Sequence, residues 1–325
     1  MQSIASDLGL SKVTSSQLKA SLEVTDPVNP LSGDLDDPKS ASLSTSGLVC
    51  LTAYWIFSSE IFGADNHIPD LYFFPDHHRL LKGVLGDDAE ARINSQPGTV
   101  ESVLVLAIWL GGQMRLHAAA KEEEEASYMQ YHHLLTLISV FHSNIRVRNA
   151  ATVIAGLILH ANPDEDDRLT ILEDLLENCM FSALQACAVT WLREEIIASR
   201  KKDSPSRFAN SDCFETLQYT LFPDLTSLVD GDVTSMSEFW TQNKPFHLQV
   251  ANFALFLFGG DSNKDLVPAG MTAAVEHRYV QPLQRAAEVL LGAADEGGVD
   301  RSQLEQEAKM ELQILSDVLS RVPLQ

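Results

Sequence analysis

Hydrophobic positions in the middle of the chain repeat at helical spacing. Tyr131, Leu134, Leu135, Ile138 and Phe141 fall at i, i+3, i+4, i+7 and i+10, one face of an α-helix. After the turn-forming His142-Ser143-Asn144, the residues Val147, Ala150, Ala151, Ile154, Leu157 and Ile158 repeat the pattern. Asn162-Pro163-Asp164 interrupts it, with Pro163 suited to a loop or to the first turn of a helix. Leu169, Leu172, Leu175, Leu176 and Cys179 then form a third stripe, and Leu184, Cys187, Ala188, Trp191 and Leu192 a fourth. Amphipathic helices joined by such short turns pack as antiparallel neighbours. Their recurrence at ~40 residues per helix pair matches HEAT-like units. Ala150, Ala151, Ala155 and Gly156 suit close approach within a pair. The expected fold is all-α, a HEAT/ARM-like α-solenoid of antiparallel helix pairs.

The flanking segments extend this picture. Gly47–Phe57 is nearly apolar all round and suits a buried helix, with a strand as the alternative. Pro69 and Pro75 punctuate a segment containing Leu71-Tyr72-Phe73-Phe74; Tyr72-Phe73-Phe74 with Trp55 is most simply core, and an exposed part of it would make a partner anchor. A short helix is expected over His77–Leu85. Gln96-Pro97-Gly98 signals a turn, Thr99 is the expected cap of the next helix, and Gly111-Gly112 its end or a kink. Arg200–Arg207 is a polar loop that marks a unit boundary near 200–212. Phe214–Leu228 and Phe246–Phe258 are further apolar helical runs, separated by Asp230-Gly231-Asp232. The tail puts Leu304, Ala308, Leu312, Leu315, Leu319 and Val322 on one stripe, as a terminal capping helix would. Ahead of all this, Ser3–Val24 has one apolar side (Leu8, Leu10, Val13, Leu18, Leu22), and 25–46, with prolines at 27, 30 and 38, reads as a flexible linker. The expected organisation is therefore 1–46 as helix and linker, and 47–325 as a helical-repeat domain.

Charge narrows the function. The 325 residues carry 45 acidic against 23 basic side chains, a formal net charge of −22. Such a surface repels phosphate backbones and anionic lipid, which argues against nucleic acid or a membrane as a direct partner and favours a basic protein segment. No run reaches the ~18 consecutive apolar residues of a membrane span. The N-terminus lacks the pattern of a signal peptide, and Cys50, Cys179, Cys187 and Cys213 do not make a secreted disulfide framework. The expected location is the cytoplasm, with the nucleus also open.

Candidate chemistry is sparse. The chain contains no G-x-S-x-G, no phosphate-binding G-x-x-x-x-G-K-[ST], no G-x-G-x-x-G and no H-E-x-x-H. No enzymatic activity, cofactor or metal is expected. The groupings His77-His78, His132-His133 and His142 lack companion ligands, because adjacent helical residues point about 100° apart. Cys179 and Cys187 fit their apolar stripes as small core residues; they are also the candidates for redox chemistry, which needs an exposed thiolate of lowered pKa. Glu122, Glu123, Glu124 and Glu125 read as a solvated helix face or an electrostatic docking patch. Arg146 and Arg148 flank their apolar stripe, where pairing with Asp166 or Asp167 is expected ahead of a role on a partner surface.

The units spanning Tyr131–Glu195 resemble a known family. His142-Ser143-Asn144, Arg146-Val147-Arg148 and Asp167-Arg168-Leu169 lead into Leu172-Glu173-Asp174-Leu175-Leu176-Glu177-Asn178-Cys179-Met180-Phe181, then through Ala186–Trp191 to Leu192-Arg193-Glu194-Glu195. This resembles the C-terminal repeat region of the fungal Yap-binding proteins, relatives of glomulin and the plant Alf-type proteins, with Met180 standing where the family pattern has proline. The resemblance implies a helical-repeat adapter. Its fungal branch implies a stress transcription factor or a thiol peroxidase as partner and a part in peroxide-dependent activation. The glomulin branch implies inhibition of the RING subunit of a cullin ubiquitin ligase, and a further branch a kinetochore scaffold.

Overall fold

The computed structural model describes residues 44–65, 68, 70–118, 127–201, 205–296 and 303–323. The expected helix Ser3–Val24, most of the linker after it, the Glu122–Glu125 run and the Leu304 side chain lie outside the described residues. Among the described residues the fold is all-α, with one isolated bridge, Phe74 to His117, as its only extended pairing. The chain divides into two compact units, one ending at Asn162 and the other beginning at Pro163.

In the first unit the near-continuous apolar run is a helix, α1 (Thr45–Phe62). The Ser44 side chain caps it by accepting from the Gly47 N–H at 3.2 Å. Gly63 ends it at φ 62°, in the left-handed region that costs glycine least. Polar side chains inside the run are satisfied within the helix: Thr52 donates to the Leu48 carbonyl and Ser58 to that of Trp55. After an extended stretch come α2 (Asp76–Leu85), α3 (Ala89–Ser95) and α4 (Pro97–Gly112). Thr99 is not the cap of α4. Pro97 occupies the first helical position, where its missing N–H costs nothing, so Thr99 falls inside the first turn and is buried. Gly111-Gly112 does end α4. A Cβ on Gly111 would come within 3.2 Å of the Leu157 side chain, so the glycine lets the following helices approach.

The first two amphipathic stripes form α5 (Tyr128–Phe141) and α6 (Ile145–Ala161), packed against each other across His142–Asn144. Asn144 caps α6 by accepting from the Arg146 N–H at 3.0 Å. At the centre, Tyr131 is fully buried with Phe73, Phe74 and His77 around it. His77 donates from Nε2 to the Val103 carbonyl at 2.9 Å, which leaves Nδ1 to accept from the Tyr131 hydroxyl at 2.7 Å. Burial lowers the His77 pKa to about 4, so the ring is neutral.

In the second unit, α7 (Glu165–Asn178) and α8 (Ser182–Ser199) carry the third and fourth stripes. Asp164 caps α7, and Glu165, Asp166 and Asp167 set negative charge against its N-terminal dipole. Arg168 is buried between the helices, 3.2 Å from Glu195 of α8 and 3.2 Å from Glu165. Glu165 also accepts from the Ser206 hydroxyl and the Arg207 N–H, and the Arg168 guanidinium lies over the buried Phe208 ring. The polar loop before 212 is thereby tied to the start of α7. Asp166 pairs with Arg207 at 2.6 Å, a partner from this same loop.

The rest of the unit is α9 (Asp212–Leu221), α10 (Val233–Gly259), α11 (Met271–Val275), α12 (Gln281–Glu296) and α13 (Gln303–Ser320). Pro245 lies inside α10, where it withholds an N–H from the Thr241 carbonyl; next to it, the Ser182 hydroxyl donates to the Gln242 carbonyl at 2.7 Å. Between α11 and α12 a π-helical turn, Glu276–Val280, carries the buried Tyr279, whose hydroxyl lies 3.0 Å from His247 Nδ1. Arg278 of this turn donates to the Phe222 and Gln218 carbonyls at the end of α9, where positive charge complements the dipole. Leu312, Leu315, Leu319 and Val322 of the tail are buried, α13 packing on α10 and α12.

Two stability outcomes follow from these buried groups. Arg168→Ala strands Glu195 in the core and costs about 3–5 kcal/mol in urea unfolding, against near-neutral values for exposed arginines. His77 and His247 are lowered to about 4 and His132 to about 3 by burial, each from an unfolded value of about 6.5. Above pH 6.5 both states are neutral and full stability is present; as pH falls from 6.5 towards 4 only the unfolded state takes up protons. Each histidine then removes about 3 kcal/mol. Thermal unfolding between pH 7.5 and 4.5 should show a steep loss of Tm, flattened by His247→Phe with Tyr279→Phe; an unchanged pH profile in that variant would contradict the assignment.

Candidate functional site

Helices α1 and α4 pack side by side and run in the same direction. Ser46 bonds Gln96 near their N-terminal ends, Ser102 Oγ lies 3.4 Å from Cys50 Sγ, and Trp109 Nε1 donates to Glu60 at 3.1 Å near their C-terminal ends. Both are apolar around most of their circumference. A helix of that kind normally sits inside a core. Here only part of each is covered. The α1 positions Cys50, Tyr54, Phe57 and Ile61, at i, i+4, i+7 and i+11, share a face; the first two are half-buried, Phe57 is 51% exposed and Ile61 61%. On α4 the stripe Glu101, Val105, Ile108 is exposed, Ile108 to 51%. Phe62 follows, exposed and in edge-to-face contact with Phe57.

The first unit thus presents a continuous apolar surface about three helical turns long. Large contiguous apolar exposure of this kind marks binding surfaces. Acidic groups border it: neither α1 nor α4 contains Lys or Arg, Glu101 lies in the exposed α4 stripe with the buried His142 Nε2 3.9 Å away, exposed Glu60 sits beside the α1 stripe, and Asp65 lies just beyond α1. Arg115, near the end of α4, is already engaged, paired with Asp70 at 2.7 Å and stacked over Trp109. The sequence reading missed this surface because it assigned Gly47–Phe57 to a buried helix. The signal lay in the excess of apolar residues, more than one side of contact covers.

The residues singled out from sequence are scattered. Arg146 and Arg148 occupy the first turn of α6, Arg146 exposed and Arg148 half-buried. Cys179 is the C-terminal cap residue of α7, half-buried, with its Sγ 3.4 Å from the Phe181 N–H. Next to it Met180 is almost fully exposed. Cys187 is half-buried within α8. Burial pushes both thiols above their ordinary pKa, and pushes that of Cys213 to about 12. The histidines do not assemble into a ligand set; among the described residues no group of three or more His, Cys, Asp or Glu side chains is placed to hold a metal ion. Also among the described residues, no helix is long and apolar enough to cross a membrane.

A family model described as an uncharacterised protein family, YAP/Alf4/glomulin, matches residues 12–320. No curated protein matches the chain.

The thiol environments give a direct expectation. Raised pKa values leave little thiolate near neutral pH. Brief exposure of the native protein to dilute peroxide should therefore leave later iodoacetamide labelling of Cys179 and Cys187 unchanged, as read by peptide mass spectrometry. Selective loss of labelling at either residue would identify it as a peroxide-reactive thiol. The exposed face gives a second: Ile108→Lys should shift folding stability by no more than about 0.5 kcal/mol in urea, whereas the same change at buried Leu104 should be severely destabilising.

Proposed function

Since this chain belongs to the YAP/Alf4/glomulin family, we propose that it works as a non-enzymatic adapter that binds other proteins, and that its repeated helix pairs α5/α6 and α7/α8 are HEAT-like units. The observation that carries the reading is the uncovered apolar face of α1 and α4. Apolar side chains exposed in this number are costly in water and are retained where a partner covers them.

Within that role, the partner is a stress transcription factor or the thiol peroxidase that oxidises it, and the adapter promotes peroxide-dependent activation in the cytoplasm. With thiols of raised pKa, the chain contributes by bringing the two proteins together, the oxidising equivalents passing between cysteines of the partners. Proximity alone accounts for a large rate gain in such a transfer. The acidic surface supports a protein rather than a nucleic-acid partner.

A second reading follows from the glomulin part of the same family name: the chain masks the RING subunit of a cullin ubiquitin ligase. The two readings diverge in a pull-down of the tagged full chain from its own cells, before and after brief peroxide treatment. Recovery of a stress transcription factor or thiol peroxidase, increased by peroxide, is the expected result. Recovery of cullin–RING or kinetochore subunits in their place, with slower ubiquitin-chain formation in the cullin case, would move the function to the corresponding branch.

A further inference from the structure

We propose that the α1/α4 face is a docking groove for a basic amphipathic helix of a partner protein, about three turns long, lying between the two exposed stripes. The inference rests on the adapter reading and adds the chemistry of what is bound.

Length comes from the stripes. From Cys50 to Ile61 is eleven residue steps along α1, about 16 Å along its axis. A helix covering it presents apolar side chains at i, i+4, i+7 and i+11, the same spacing as Cys50, Tyr54, Phe57 and Ile61. Two helices packed side by side have axes about 8–10 Å apart, which leaves a shallow groove that the ridge of a third helix can fill.

Charge selects the partner. Glu101 lies on the stripe near the level of Cys50, because its neighbour Ser102 touches Cys50. Glu60 stands at the other end, beside Trp109. The two carboxylates are therefore about 15 Å apart along the groove, one at each end of the apolar stretch. Neither helix offers a cation, and both glutamates stay exposed beyond their contacts with Trp109 and with His142, whose Nε2 is 3.9 Å from Glu101. A partner helix with Lys or Arg at both ends of its apolar stripe gains two attractive contacts, and one with Asp or Glu there meets like charge at both. The net charge of −22 acts in the same direction at longer range. A second copy of this acidic chain is disfavoured by the same repulsion.

The test uses a fluorescein-labelled synthetic peptide of about 15 residues, long enough for the three turns. Leucines sit at the stripe positions and lysines flank them. One control replaces every lysine by glutamate, the other every leucine by serine. Fluorescence anisotropy is followed as the full-length protein is added, at low salt and at about 0.3 M salt. The Leu/Lys peptide should bind at least about tenfold more tightly than either control. Ile108→Lys should weaken it by about tenfold or more, and Glu60→Gln with Glu101→Gln should weaken it less while reducing its salt dependence. Retained folding of each variant is checked by its urea midpoint.

Equal binding by the Leu/Glu peptide, or binding untouched by Ile108→Lys, would overturn the proposal. So would a dimer in light scattering that Ile108→Lys converts to monomer, which would make a second copy the occupant. Tighter peptide binding after Leu18→Ser with Leu22→Ser in the full chain would overturn it as well, by making the chain's own N-terminal segment the occupant. The titration needs no native partner, so its failure leaves the adapter reading standing, and an empty pull-down leaves the groove standing.

Discussion

Each of the two units buries a tyrosine hydroxyl against a neutral histidine, and much of each core is arranged around that contact. Helices satisfy their own backbone, so the polar groups a helical core must still satisfy are those of side chains. In the first unit Tyr131 meets His77, whose other nitrogen is held by the Val103 carbonyl of α4. One ring therefore fixes α2, α4 and α5 against one another. In the second unit Tyr279 reaches His247, and the π-helical turn carries Tyr279 at the point of contact. Both rings are kept neutral by burial. The same burial makes acid the condition under which these cores are least stable.

The Arg168–Glu195 pair adds a charged counterpart within the second unit. Buried ion pairs give uncertain net stability, yet removing one partner is costly because the other stays buried. Here the pair organises as well. Glu165 and Phe208 share the same guanidinium, so the 205–209 loop, α7 and α8 are held by one cluster. Arg278 does comparable work by closing the end of α9 through carbonyls that helix geometry leaves unsatisfied.

Against these satisfied cores, the α1/α4 face is the exception. Ser102 to Cys50 and Trp109 to Glu60 tie its two helices together, while Phe57, Ile61, Phe62 and Ile108 stay exposed. Folding of the unit leaves that surface in place because α1 and α4 already bury one side each, and in the reading proposed above the other side serves an association outside the unit. The proposed adapter role gives such a surface a use, and the carboxylates at its two ends would restrict what fits.

The sequence by itself determined the helices. Periodicity located α5, α6, α7 and α8, whose ends lie up to seven residues from those of the apolar stripes, and short polar turns with Asn144 and Asp164 supplied caps for α6 and α7. Those signals are local, a matter of spacing along one chain. It also carried the family, through the run from His142 to Glu195, because motif order survives without any knowledge of packing. What only the tertiary structure decided depends on contacts between distant segments. Pro97 at the head of α4 displaced Thr99 from the cap, and Asp166 paired with Arg207, forty-one residues on. Most of all, it decided which side of an all-apolar helix stays uncovered. A helix whose hydrophobicity has no preferred direction carries no record of the face it will bury, so the exposure of Phe57, Ile61 and Ile108 is set by what happens to pack beside it.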